Sequence, residues 1–218
     1  MQTREGDTRE CQPLTVRRLA RVGYQIIART PLRRVLRTRL AQRMKKRLVA
    51  MPADLVPRVM DALERGGVSA WLVGGWAVDA LAGAQTRPHE DLDLVIDAGA
   101  DGEQRATAAL GGLGFHVMGR EPVPSFWWFE RIAMSDDHGH VVDLHPASLT
   151  PQGVVLRNGD GKVFARDEAF TTGTIAGRQV RCLSPRLQLA LLEVRGDDMD
   201  GPEVASLRKC LEPADDDA

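Results

Sequence analysis

Long apolar stretches are missing from this sequence. No run reaches the ~18 residues that a membrane-spanning helix needs, so no such span is expected. Cysteine is scarce as well. The three present, Cys11, Cys182 and Cys210, are odd in number, widely scattered and without CxxC or other metal spacing, which points to reduced thiols in a cytoplasm. The first residues, Met-Gln-Thr-Arg-Glu-Gly-Asp, lack the basic-then-apolar order of a secretory leader. No internal repeat is evident. What is there is ordinary for a globular protein, with a hydrophobic fraction of 43% and a charged fraction of 27%. A chain of 218 residues fits one sizeable domain with an appendage, or two small domains.

Net charge is also nearly absent, at −1, but the sum hides an asymmetry. Residues 1–50 carry 14 Lys/Arg against 3 Asp/Glu, whereas the remainder carries 15 against 27. Such a split marks a basic arm joined to a separately folded acidic domain. Within the arm, Leu14 to Arg29 reads as a short basic helix, and Thr30-Pro31 starts a second. Leu32, Val35, Leu36, Leu40, Met44 and Leu48 recur at helical spacing, and the opposite face is almost wholly Arg and Lys. Residues 14–48 therefore suit contact with an anionic membrane surface, with nucleic acid, or with the protein's own core or a second copy. The expected location is the cytoplasm, with peripheral membrane contact open.

After Met51-Pro52 the pattern changes. Asp54 stands where it would cap a helix over Leu55 to Arg65. Ala70 to Val73 reads as a buried strand ended by Gly74-Gly75, and Trp76 to Leu81 as a helix closed by Gly83. Asp91-Leu-Asp-Leu-Val-Ile96 is a strand with one acidic face. Residues 101–112 suit a helix and Phe115 to Met118 a strand. Ser125 to Ile132 and His140 to Leu144 read as paired strands joined by the polar turn Ser135 to Gly139. Residues 150–180 read as short strands and loops. Ser184-Pro185 starts a helix to about Val194, and a last helix spans Glu203 to Leu211. The domain boundaries follow: a basic helical extension over 1–50, a core over 51–183, a C-terminal helical segment over 184–211 and an acidic tail over 212–218.

Side chains two apart in a strand share a face, so Asp91 and Asp93 present two carboxylates to one space. A lone D-x-D often does no more than line a solvated sheet face. Here, side-by-side like charges call for neutralisation, and hard oxygen donors suit Mg²⁺, which shares its sites with water and phosphate. Asp143 supplies a third carboxylate if its strand lies beside residues 91–96, completing a two-metal phosphoryl-transfer set. Gly74-Gly75, between strand and helix, lets backbone approach a phosphate near a helix N-terminus. Arg87 suits a phosphate contact through its guanidinium, and His89 suits either a phosphate contact or support of the loop. Asp79 reads as a tie between its helix and that loop. On the aromatic strand, alternation sends Trp128 and Glu130 to one face and Trp127 to the other, so Trp128 and Glu130 are candidate substrate contacts. His145 follows Asp143 by two and is a candidate partner or substrate contact. Glu193, Asp197 and Asp198 would suit a cationic acceptor or a solvated surface.

Four segments carry a resemblance over about residues 54–211: Trp71-Leu-Val-Gly-Gly-Trp-Ala-Val-Asp79, Gly83 with Thr86-Arg-Pro-His-Glu-Asp-Leu-Asp93, Val142-Asp-Leu-His-Pro146, and Ile175-Ala-Gly-Arg-Gln-Val-Arg-Cys182. The order resembles the minimal nucleotidyltransferases of the DNA polymerase beta superfamily, in particular the lincosamide nucleotidyltransferases and aminoglycoside 2″-adenylyltransferases. The resemblance implies an α/β (α+β) fold, a mixed twisted sheet with flanking helices. It implies that Gly74 and Gly75 hold the triphosphate, that Asp91, Asp93 and Asp143 are catalytic and bind two Mg²⁺, and that Asp143 activates an acceptor hydroxyl. ATP is the implied co-substrate, and antibiotic resistance the implied role. Leu191-Leu-Glu-Val-Arg195 lacks the His and aromatic residue of the lincosamide pattern, which leaves the acceptor open. Three functions fit: nucleotidyl transfer to a small molecule, transfer to tRNA or protein, and non-catalytic nucleotide binding.

Overall fold

The computed structural model describes residues 50–97, 99, 101–122, 130–147, 149–150, 153–155 and 163–212. The chain divides into two compact units, Met1–Leu48 and Val49–Ala218, and every described residue belongs to the second. The basic helices read in residues 14–48, Trp127, Trp128 and the acidic tail beyond Glu212 lie outside the described residues.

Helix α1 (Leu55–Arg65) buries Leu55, Val56, Val59, Met60, Ala62 and Leu63, an apolar stripe at spacings of three and four. Asp54 stands at its N-cap position, but its side chain makes no capping hydrogen bond. Strand β1 (Ala70–Leu72) is wholly buried and leads through Gly74 into helix α2 (Gly75–Ala82). Strand β2 (Asp91–Asp97), helix α3 (Gly102–Gly111) and strands β3 (His116–Pro122), β4 (Glu130–Ser135) and β5 (Val141–Ala147) follow. After a two-stranded ribbon of β6 (Val154–Val155) and β7 (Val163–Phe164) come a short helix α4 (Arg166–Ala169) and strands β8 (Phe170–Ile175) and β9 (Arg178–Leu183). Helices α5 (Pro185–Arg195) and α6 (Pro202–Lys209) complete the unit. Among the described residues, no helix is long and apolar enough to cross a membrane.

Seven strands form one mixed sheet in the order β3-β4-β5-β2-β1-β9-β8. The β2–β5 and β1–β9 pairs are parallel and the others antiparallel. The Phe170–Leu183 hairpin, read from sequence as short strands and loops, is two full strands of this sheet. Its Thr-rich first strand is polar but β-branched, and Ala176 and Gly177, both at positive φ, make the tight turn that matches strand twist.

Alternation separates the two faces. Leu92, Leu94, Ile96, Ile132, Met134, Val142 and Leu144 pack with residues of α1 and α3 in one core cluster. Val95 and Ala147 face the other way, towards Leu187, Ala190 and Leu191 of α5 in a second cluster. Asp91, Asp93, Asp143 and His145 also lie on this second face at the β2–β5 seam.

Candidate active site

In β2 and β5 the register pairs Asp93 directly with Asp143, Asp91 with Val141 and Val95 with His145. Paired residues of parallel strands project to the same side, so the three carboxylates and His145 share the α5 face. The adjacency expected of Asp143 is therefore present. His145 Nε2 lies 3.3 Å from Asp93 Oδ1.

The glycine turn sits against this seam. Gly74 has φ of +69°, a conformation costly for other residues, and a Cβ there would stand 3.0 Å from Asp93 Oδ2. A Cβ on Gly75 would stand 2.4 Å from His89 Nδ1. Both glycines thus let the main chain press onto functional side chains at the start of α2, where unpaired amides and the helix dipole favour an anion.

His89 supports the turn from below. It is 3% exposed, lies 4.6 Å between ring centroids from Trp76, and has Nε2 on Asp79 Oδ2. Burial lowers its pKa and so favours the neutral ring, against the pull of Asp79. The other Asp79 oxygen accepts from the Thr86 amide, at 3.1 Å, and hydroxyl. Asp79 therefore ties helix to loop, as its spacing suggested. The direct phosphate contact read for His89 is not the geometry found, because a buried ring already held by Asp79 faces the underside of the turn. Arg87 reaches the turn but is paired with Glu203 of α6, its Nε 3.1 Å from Oε1.

Glu130 requires a correction. In β4, Ile132 opposes Leu144 and Ala133 opposes Asp143, so odd-numbered residues share the aspartate face and Glu130 lies on the other. There it pairs with Arg120 at 3.0 Å, and Arg120 also bonds Glu103 of α3. Trp128, read onto the same face as Glu130, lies outside the described residues, and the sequence does not say which parity of β4 faces the carboxylates. Glu193 is exposed, whereas Asp197 and Asp198 line the cleft.

Arg131, not singled out from the sequence, reaches from the aspartate face of β4 to Asp143. Its Nε and Nη2 each lie 2.8 Å from Asp143 Oδ2. Counting across the β4–β5 hairpin would have found it, since it shares a face with the residue opposite Asp143.

Two adjoining cavities, of about 280 and 720 Å³, open between this face and helices α5 and α6. Gly74, Val78, Asp93, Leu192, Arg195 and Glu203 border both. The smaller adds Arg131, His145, Gln188 and Leu191, and the larger adds Gly75, Thr86 and Arg87. Arg195, Gln188 and the pairing role of Glu203 also escaped sequence reasoning, because helix periodicity does not say which strand face a helix covers.

The carboxylates repel one another. Burial, then Asp93 and Asp143, raise the Asp91 carboxyl to about 6. Burial also raises Asp143, opposed by the hydrogen bond from Arg131. Asp143 Oδ1 is buried without a hydrogen-bond partner. Among the described residues, no three or more His, Cys, Asp or Glu side chains already surround a common point as a metal cage. The donor set nevertheless fits Mg²⁺, which takes one or two carboxylates and completes its octahedron with water and phosphate. Crowded acidic oxygens and an orphaned buried acceptor are what such a cation relieves.

Residues 55–206 match the family model described as aminoglycoside-2''-adenylyltransferase. A lincosamide resistance protein from Staphylococcus haemolyticus is 30% identical over 134 residues, 60% of this chain and 78% of that protein. A 2''-aminoglycoside nucleotidyltransferase from Escherichia coli is 27% identical over 144 residues, 60% of this chain and 66% of that protein. The fold is also that of a lincomycin-bound lincosamide antibiotic adenylyltransferase, with a TM-score of 0.55 at 24% identity over 75% of this chain and 98% of the other. With seven-tenths of its length inside one family model, the chain belongs to the aminoglycoside-2''-adenylyltransferase family and is an enzyme of the nucleotidyltransferase class.

Proposed function

We propose that this enzyme transfers AMP from Mg²⁺-bound ATP to a hydroxyl of a small antibiotic of the lincosamide or aminoglycoside class, in the cytoplasm. The observation that carries the reading is the register of Asp93 with Asp143, beside a glycine turn that touches Asp93. Cavities of about 280 and 720 Å³ match the size of small-molecule sites, which favours such an acceptor over tRNA or protein.

Asp91, Asp93 and Asp143 would hold the divalent cations, which when bound neutralise the triphosphate and acidify the acceptor hydroxyl. The Gly74-Gly75 amides at the start of α2 bind phosphate oxygens. Arg87 exchanges Glu203 for phosphate, since guanidinium binds either anion. Asp143 takes the acceptor proton, a task helped by the raised affinity that burial gives its carboxylate. The acceptor oxygen bonds to the α-phosphorus as the bond to pyrophosphate breaks. His89 and Asp79 hold the turn in shape. Gln188, Leu191 and Leu192 of α5 form the wall against which the acceptor rests.

ATP labelled on the α-phosphate, incubated with Mg²⁺ and lincomycin, tobramycin, tRNA or protein, tests this reading. The expected result is a labelled antibiotic with release of pyrophosphate, lost in Asp91→Asn and Asp93→Asn. Label on tRNA or protein alone would replace the acceptor. ATP binding without transfer to any acceptor would leave a non-catalytic nucleotide-binding module.

A further inference from the structure

Among the described residues, three cleft-lining arginines are paired with carboxylates, and of these only Arg131 has a buried partner. The Arg87–Glu203 and Arg195–Asp197 pairs are exposed on both sides, whereas Asp143 has a side-chain exposure of 3%. Arg131 also commits its three nitrogens unequally. Nε and Nη2 both meet one oxygen of Asp143, Oδ2, and Nη1 meets Glu121 Oε2 at 3.0 Å. Ala133, directly opposite Asp143, shares this face of β4 with Arg131. The other carboxylate oxygen, Oδ1, is buried with no hydrogen-bond partner.

A carboxylate rotates easily about its terminal torsion, which is broad and roughly two-fold. Two nitrogens fixed on one oxygen remove that freedom, and Glu121 on the third holds the guanidinium itself. An unpaired buried acceptor is costly, so Oδ1 is the oxygen that gains most from a cation or a hydroxyl hydrogen. We infer that Arg131 is a positioning residue for nucleotidyl transfer: it occupies Oδ2 of Asp143 and thereby presents Oδ1 to the reactants. This rests on the reading of Asp143 as the carboxylate that meets the acceptor. Lysine keeps the charge but cannot offer two nitrogens to Asp143 and a third to Glu121. The rival role is plain neutralisation of a buried carboxylate, which would govern folding and leave turnover of the folded enzyme alone.

The test uses the full chain with Arg131→Gln, Arg131→Lys and Asp143→Asn. Turnover is measured with ATP, Mg²⁺ and whichever of lincomycin or tobramycin is adenylylated, normalised to folded protein by melting curves. ATP affinity is measured separately by calorimetry. Arg131→Gln is expected to lose about 100-fold in kcat, because a misplaced reacting group costs that much. Its ATP affinity and KM should stay within about 3-fold, the pattern of an interaction made in the transition state. Arg131→Lys should recover roughly 10-fold of the loss, since one charged donor still reaches Oδ2. Values of kcat per folded enzyme within about 3-fold of the parent, alongside an inactive Asp143→Asn, would overturn the inference and leave the reaction standing. Should Arg131→Gln fail to fold, the lysine variant decides: an unchanged kcat overturns the inference, and a fall of about 10-fold with ATP affinity kept supports it. If Asp143→Asn itself turns over normally, the reading of Asp143 fails first.

Discussion

Asp91 holds its proton up to about pH 6 because burial, then Asp93, then Asp143, oppose its charge, against 3.8 as its ordinary value. A carboxyl with a raised folded-state pKa binds its proton more tightly in the native chain than in the unfolded one. The resulting stability is fully present below about pH 4 and is lost as pH rises through about 6. Asp91→Asn should therefore melt with the parent at pH 3.5, yet be more stable at pH 8 without divalent cations, by on the order of 2 kcal/mol. Mg²⁺ at pH 8 should raise the parent's Tm and leave the variant's nearly unmoved, while the variant has no transferase activity. A variant no more stable than the parent at pH 8 would mean that the carboxylates do not strain the native site. The Asp91–Asp93 pair was legible because alternation in a strand needs no partner to be known. Arg131 and Glu130 were not legible with the same certainty. Their faces depend on the register of β4 against β5, which is a property of two segments.

The glycine turn and α6 act at the scale of the element. The turn was readable as an apolar run, two glycines and a helix, but not the reason for each glycine. Gly74 needs its positive φ and closeness to Asp93, and Gly75 needs room for His89. Gly75→Ala should cost on the order of 2 kcal/mol through overpacking against a buried ring. It should also weaken ATP binding at least 10-fold, and thermal melts with calorimetry would check both. Helix α6 makes a different case. Its Glu203 draws Arg87 aside, but both side chains are substantially exposed, so the pair adds little to stability. Glu203→Gln should leave Tm within about 1 °C and lower KM for ATP several-fold, because Arg87 no longer has to exchange partners. A rise in KM would instead assign Glu203 to substrate binding. Sequence reading placed a last helix over Glu203 to Leu211 but had no means of knowing which loop it would meet. It undervalued β8 and β9 for a related reason: their threonines and arginines look like loop until the rest of the sheet supplies hydrogen-bond partners.

At the scale of the whole molecule, the charge asymmetry and the contact pattern draw nearly the same line. The basic excess ends near residue 50, and Val49–Ala218 forms a compact unit of its own. Both apolar clusters that hold the sheet are built from residues between Met51 and Val194. The cleft residues also come from this unit, from Val73 to Leu207. A chain beginning at Val49 therefore has the core and the carboxylates on which the proposed reaction depends. It should melt cooperatively and keep kcat with ATP and the accepted antibiotic within about 3-fold of the full chain. Removing the arm takes away its 14 basic residues before Val49, so binding of the full chain to anionic vesicles or to RNA should weaken with salt and disappear on truncation. Retained transfer with lost polyanion binding would assign chemistry and localisation to separate parts of the chain. An insoluble or inactive truncation would show instead that the catalytic unit does not fold and work without the first 48 residues.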